Sequence, residues 1–263
     1  MDLGLQGARI LVTGASGGLG AATARRFSLE GAQVVINSRD TVKLTATATA
    51  IQAESDTPVY TFAGDITNPQ TVRELIIYTV ETLGGLDVLV TNAGGPPSGL
   101  FDDLSLSTWE TAMQLTLIST ISLIQAALPY LRQSTQPAIL AINSIAAKRP
   151  VENLTLSNAL RPAVAGLTKT LALELGMKGI RVNSILPGIT DTERVQYLMQ
   201  SRATKNGTTP AAEYEKAAQS IPMQRIGTPE SFANAAVFLC SPAAEYITGV
   251  ALAVDGGAVL ATL

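Results

Sequence analysis

The chain has 263 residues, 46% of them hydrophobic, enough to bury a sizeable core in one α/β layer structure. With 18 basic against 21 acidic residues and no single-sign block, its net charge of -3 argues against nucleic acid or an anionic membrane as partner and leaves small molecules. It contains no histidine, which excludes a histidine general base, a Ser-His-Asp triad and histidine-ligated zinc, so no metal site is expected.

Other exclusions come from short stretches. The opening MDLGLQGARILVTG lacks the positive start and long apolar centre of a signal peptide, which predicts a cytoplasmic protein. The lone cysteine, Cys240 in AAVFLCS, reads as a packed core residue. The run Leu115 to Leu131 is interrupted by Thr116, Ser119, Thr120, Ser122, Gln125 and Pro129, poor material for a membrane span. It reads instead as a helix apolar on more than one face.

In chain order, Ala8, Ile10, Leu11 and Val12 have the composition of a buried parallel strand, and Ala21 to Leu29 reads as a helix. Between them lies TGASGGLG, Thr13 to Gly20. Its glycines Gly14, Gly18 and Gly20 let the backbone turn sharply and approach a pyrophosphate, and the following helix points its free amides at the phosphates. A glycine-rich turn that binds nothing is the plain alternative for these eight residues alone.

The pattern then recurs. Gln33 to Asn37 is a strand, Asp40 caps a helix to about Glu54, Val59 to Ala63 is a strand and Asn68 to Leu83 a helix. Leu86 to Thr91, Ser107 to Arg132, Ala138 to Asn143, Leu156 to Leu175 and Ile180 to Leu186 alternate strand and helix, and Pro229 to Leu239 and Val250 to Val254 close the series. Such alternation predicts right-handed crossovers and a single-domain doubly wound parallel sheet, a Rossmann fold with helices on both faces.

Ligands in these sheets sit beyond the carboxyl ends of the strands. After the second strand come Ser38 and Arg39, where an NAD site would place an acidic residue on the ribose hydroxyls. A serine and an arginine suit a 2'-phosphate, which favours NADP; a solvated arginine at a helix start is the alternative. Asp65 after the third strand can accept from an adenine amino group or cap the next helix.

These residues resemble the classical short-chain dehydrogenase/reductase family nearly end to end. The cradle, Asp65, the turn Asn92-Ala93-Gly94, the segment Pro187-Gly188 with Thr192, and Ile247-Thr248-Gly249 through Asp255-Gly256-Gly257 match its motifs in order. The resemblance implies hydride transfer between nicotinamide and a carbonyl or alcohol carbon. It also implies cofactor contacts from Gly14, Ser16, Gly18, Leu19, Gly20, Ser38, Arg39, Asp65, Ile66, Asn92, Ala93, Gly94, Arg161, Pro187, Gly188 and Thr192. Ser144 matches the family serine that hydrogen-bonds the substrate oxygen. The tyrosine position holds Ser157, the lysine position Arg161 and the asparagine position Thr116, so three of four catalytic positions differ.

A phenol has an ordinary pKa of about 10 and is lowered by a neighbouring ammonium, whereas an aliphatic hydroxyl is a far weaker acid. Ser157 is shorter by on the order of one aromatic ring and reaches a substrate oxygen only through water. Arg161 can hold ribose hydroxyls and supply charge but does not give up a proton. Losing a positioned general acid costs roughly 100-fold to 10,000-fold, so the site is impaired without being dead. Lys148 and Tyr197 are candidate substitutes, each with a plainer surface role; alternatively, a substrate carboxylate or phosphate docks on Arg161.

Glu193 to Pro222 lies where the family carries a substrate lid. With Arg194, Arg202, Lys205, Tyr214, Lys216 and the Asn206-Gly207 pair, it is expected to move over the substrate, although a solvated helical pair fits as well. Gly94 to Gly99 forms another wall. Two functional readings result: an atypical NADP(H)-dependent oxidoreductase of a small carbonyl or alcohol, or a non-catalytic nicotinamide-nucleotide-binding protein. The apolar helices Trp109 to Leu131 and Leu156 to Leu175 match subunit contacts in the family, which predicts a homodimer or homotetramer.

Overall fold

The structure, a computed structural model, describes residues 2–261. Seven strands, β1 (Arg9–Val12), β2 (Gln33–Ser38), β3 (Val59–Ala63), β4 (Val88–Thr91), β5 (Ala138–Ile142), β6 (Arg181–Pro187) and β7 (Ala251–Val254), form one sheet in the order β3-β2-β1-β4-β5-β6-β7. Every neighbouring pair is parallel. This is the predicted doubly wound, Rossmann-like arrangement.

The strands are buried on both sides because successive side chains point to opposite faces. Ile10 and Val12 join one core with Phe27, Ile36 and Phe232, while Leu11 joins the other with Leu75, Leu89 and Leu123. Helices α1 (Gly18–Leu29), α2 (Thr41–Gln52) and, near the carboxyl end of the chain, α9 (Pro229–Cys240) cover the first face. Helices α3 (Pro69–Leu83), α4 (Leu106–Met113), α5 (Ser119–Leu131) and α6 (Thr155–Gly176) follow in order; α3, α5 and the end of α6 cover the second. Cys240 is fully buried in the first core, and burial pushes its thiol up to about 12, which leaves it inert near neutral pH.

Several boundaries differ from the periodicity. Helix α1 begins at Gly18 rather than Ala21, since the glycines themselves complete its first turn. Strand β4 begins at Val88 rather than Leu86. The preceding residue, Asp87, directs its carboxylate to the amide and guanidinium of Arg9 and to Ser134 Oγ, tying β1 to β4 at the amino edge of the sheet. Burial alone would raise the Asp87 pKa, but these donors outweigh it and hold the carboxyl below its ordinary value.

The long helix predicted for Ser107 to Arg132 starts one residue earlier, capped by Ser105, and is broken by a π turn at Gln114–Ile118. A π turn inserts one residue into the α-ladder, a feature frequent at functional sites. Thr116 in this turn is buried, and its Oγ1 has no partner. Leu106–Leu131 is long and apolar enough to cross a membrane. In the fold, however, Leu123, Ile124, Ala127 and Leu131 pack into the second core. After β6 the chain forms two further helices, α7 (Glu193–Asn206) and α8 (Pro210–Gln219), which lie against each other. Gly207 ends α7 in the left-handed conformation, and Thr209 caps α8.

Candidate active site

The strand order reverses direction at β1, with β2 and β3 on one side and β4 onward on the other, so the crevice opens beyond the carboxyl ends of β1 and β4. Thr13 and Asn92 join those ends. Thr13 Oγ1 donates to the Asn92 carbonyl at 2.8 Å and accepts from its amide at 2.9 Å, while Asn92 Nδ2 donates to the Gly14 carbonyl at 3.0 Å. Gly14 has φ +58, and a Cβ there would lie 2.8 Å from the Asn92 carbonyl oxygen. Only glycine meets both demands at this position. Asn92 therefore braces the cradle from below.

Helix α1 opens without any side-chain cap and without an acidic residue in its first turn. Its first amides keep their donors for an anion, reinforced by the positive end of the helix dipole. The cradle opens into a groove of about 770 Å³, and nothing lies within 4 Å of the positions that a Cβ would take at Gly17 and Gly94. Gly14, Ser16, Gly18, Leu19, Ser38, Arg39, Asp65, Ile66, Asn92, Ala93, Gly94 and Thr192, which the family resemblance assigns to the cofactor, all line it. A diphosphate at the amides with open space on either side is what a dinucleotide requires. The residues fit a nicotinamide cofactor.

Of the remaining cofactor positions, Gly20 packs inward on the backbone of Gly14 and Ala15. Pro187 and Gly188 lie outside the groove wall. A Cβ at Gly188 would come 2.7 Å from Asp255 Cα, so this turn seats β6 on the C-terminal motif and sends the chain toward Thr192. Asp65 caps its own turn, with Oδ1 accepting from the amide and hydroxyl of Thr67, while Asn68 caps α3. Its Oδ2 lies 3.9 Å from Arg39 Nη1. The groove also takes in Asn37, Lys43, Leu115, Glu193 and Arg194, which motif spacing did not assign to the cofactor.

The other candidates gather one layer deeper, at the carboxyl end of β5. Ser144 Oγ accepts from the Ala146 amide at 3.1 Å, which leaves its own proton free to donate. Ser157 and Arg161 lie one turn apart on the inner face of α6, 7% and 9% exposed. Trp109 and Ala112 pack against Leu156 and Leu160 and hold that face in place. Arg161 Nη1 donates to the Ile142 carbonyl at 3.3 Å, and Asn143 Nδ2 donates to the Arg161 carbonyl at 3.1 Å.

Arg161 Nε and Asn143 Oδ1 have no hydrogen-bond partner, and no carboxylate pairs with Arg161 among the described residues. Burial, and secondarily the nearby charge of Arg194, pushes the Arg161 pKa down to about 10, so it stays cationic near neutral pH. Arg194, at the start of α7, donates to the Pro96 carbonyl at 3.2 Å. Neither Lys148 nor Tyr197 joins this cluster; both are exposed. Among the described residues no group of acidic or cysteine side chains could hold a metal ion.

A second cavity of about 720 Å³ separates α7 and α8 from the loops after β4 and β5, lined in part by Arg202, Lys205, Lys216 and Glu213. Glu213 accepts from Asn206 Nδ2 and Thr208 Oγ1, and these donors hold its carboxyl below the ordinary value.

A family model described as enoyl-(acyl carrier protein) reductase matches residues 14–259. An Escherichia coli 7alpha-hydroxysteroid dehydrogenase is 34% identical over 98% of this chain and 96% of its own length. The chain belongs to the short-chain dehydrogenase/reductase family. Two solved structures of the family superpose closely. L-sorbose reductase from Gluconobacter frateurii, complexed with NADPH and L-sorbose, has a TM-score of 0.95 at 30% identity, covering 99% of this chain and 100% of that one. A Pseudomonas aeruginosa short-chain oxidoreductase described as containing an atypical catalytic center has a TM-score of 0.92 at 30% identity, covering 98% and 100%. The relatives found are NAD(P)-dependent dehydrogenases and reductases that act on small substrates.

Proposed function

We propose that the protein is an NADP(H)-dependent oxidoreductase of a small carbonyl or alcohol compound whose catalytic set departs from the family's. The observation that carries this reading is Ser144, with a free hydroxyl proton, on the same sheet edge as the open nucleotide groove. A protein that only bound the nucleotide would need no such donor beside it.

In this reading the groove residues named above hold the cofactor, which when bound supplies or takes up the hydride. Ser144 donates to the substrate oxygen, and Arg161 provides fixed positive charge as negative charge develops there. Ser157 and Thr116 stand where the family has tyrosine and asparagine, and Arg161 where it has lysine. The proton that balances the hydride comes from water ordered by Ser157, since a serine hydroxyl is too short to reach and too weak an acid to replace a phenol. Arg39 and Lys43 at the groove edge support the 2'-phosphorylated cofactor, as does the NADPH in L-sorbose reductase. The Pseudomonas relative with an atypical catalytic center also has an NADPH-bound structure, which supports cofactor retention alongside altered chemistry.

The second reading, a non-catalytic nucleotide-binding protein, draws on the three catalytic positions that hold Thr116, Ser157 and Arg161 instead of the family's residues. Single-turnover oxidation of NADPH against a panel of ketones, β-ketoesters and oxo acids separates the two. Hydride transfer on any member supports the enzyme. Intact NADPH binding without transfer on the whole panel would establish the second reading.

We further propose that the chain acts as a single domain in the cytoplasm, with α7 and α8 closing over the substrate as a lid. Leu106 and Met113 on α4 and Leu173 on α6 are exposed apolar residues and support assembly as a homodimer or homotetramer. A monomer by light scattering would refute that assembly.

A further inference from the structure

We propose that the edge of the Arg161 guanidinium formed by Nε and Nη2 is an anion subsite that receives the carboxylate of an oxo-acid or hydroxy-acid substrate. The inference rests on the oxidoreductase reading and names the substrate class for that site.

A guanidinium in a protein interior normally has its charge compensated, because leaving it uncompensated costs several kcal/mol. Arg161 departs from that rule. Only its Nη1 has an acceptor, the Ile142 carbonyl; Nε has none, and no acidic side chain pairs with it among the described residues. A second cation, Arg194, adds to the local positive potential instead of cancelling it. Arg181 provides the internal contrast. Partly buried, it spends its Nη atoms on the carbonyls of Leu239, Cys240 and Ser241 at the end of α9, a structural capping role. Arg161 has no comparable set of acceptors.

Two neighbours shape the ligand that would complete it. The Nε and Nη2 donors form a planar fork that matches a carboxylate in a bidentate way. Ser157 is buried one turn before Arg161 on α6, and Thr116, whose Oγ1 lacks any partner, is buried in the π turn that packs against α6. The cofactor does not account for the charge: the nucleotide groove is lined by Arg39, Lys43 and Arg194 but not by Arg161, and ribose hydroxyls, which can accept from Arg161, are neutral and leave its charge uncompensated. Ser144 follows Ile142, the acceptor of Arg161, by two residues. Both lie at the carboxyl end of β5, and in this proposal the carbonyl next to the bound carboxylate is the one that Ser144 meets, which orients it before any chemistry.

The test is calorimetric titration of the protein saturated with NADP+, whose oxidised ring cannot reduce the probe. The probes are 2-oxobutanoate, its neutral analogue 2-oxobutanamide, and inorganic phosphate. The acid is expected to bind at least about tenfold more tightly than the amide, and less tightly as salt is raised. Arg161→Gln should remove at least about tenfold of that preference, Arg161→Lys should keep part of it by retaining charge without the fork, and Arg194→Gln should lower it by a few-fold. If Arg161→Gln does not fold, the Lys variant and the acid-to-amide ratio in the unaltered protein decide. Equal binding of acid and amide overturns the subsite. Tighter binding of phosphate overturns its assignment to a carboxylate, and acid binding that NADP+ abolishes assigns the charge to the cofactor. Acid-selective binding without hydride transfer to any oxo acid would support the subsite while refuting the oxidoreductase reading; transfer to neutral ketones with no acid preference would do the reverse.

Discussion

The nucleotide groove and the Arg161 cluster share one edge of one sheet, yet their polar groups are arranged in opposite ways. At the groove, Thr13, Gly14 and Asn92 bind one another and brace the cradle before any ligand arrives, although Thr91 Oγ1 beside them at the end of β4 has no partner. At the cluster, Thr116 Oγ1, Asn143 Oδ1 and Arg161 Nε all lack partners. Buried polar atoms are nearly always satisfied in folded proteins, so a local concentration of unsatisfied ones marks where a ligand or ordered water completes the structure. The groove is finished by its own backbone. The cluster is finished by what it binds.

The strongest way to break that contrast is to install in the cluster the tyrosine and lysine that the proposed function holds to be replaced. Ser157→Tyr combined with Arg161→Lys is expected to raise single-turnover reduction of a neutral ketone by roughly 100-fold to 10,000-fold, the usual worth of a positioned general acid. NADPH affinity, measured in parallel by fluorescence titration, should move far less because the cradle is untouched. No gain in rate would show that the π turn at Gln114–Ile118 or the helices α7 and α8 also limit the chemistry. The same double variant should keep only part of the acid preference proposed for Arg161, because lysine retains the charge without the planar fork.

Much of this arrangement was legible in the residues themselves. Alternating apolar strands and helices gave the parallel sheet, and the glycine spacing from Gly14 to Gly20 gave the cradle, because both depend on local backbone demands that few residue types meet. The burial of Arg161 was also present as a pattern. Ser157, Arg161, Val164 and Thr168 fall at helical spacing on one stripe of α6, all buried, and a charge on a buried stripe signals a ligand or an ion pair. What could not be read was the missing acidic partner, since that depends on which loops and helices surround the arginine in space. The π turn was likewise hidden, because Thr116 sits in an apolar run whose local propensity is that of an uninterrupted helix. Lys43 and Glu193, far apart in sequence, meet through the fold alone, with Lys43 Nζ 3.1 Å from Glu193 Oε2.

That ion pair decides which cation a 2'-phosphate would meet first. Arg39 and Lys43 both line the adenosine end of the groove, but only Arg39 is held loosely, 3.9 Å from Asp65 with its side chain 73% exposed. Lys43 is engaged by Glu193, whose hydrogen bond raises the lysine pKa above its ordinary value. A 2'-phosphate entering the groove therefore meets one readily available cation, and Arg39 should carry most of the discrimination. Arg39→Ser is expected to weaken NADPH binding by about tenfold, the worth of one charge-assisted hydrogen bond, while NADH affinity changes by less than about twofold. The NADPH-to-NADH ratio should also become less sensitive to salt, because one phosphate contact has been removed. Equal losses for both cofactors would mean that Arg39 acts by holding Asp65 in place, and the contrast between a finished groove and an unfinished cluster would then extend to the adenosine end as well.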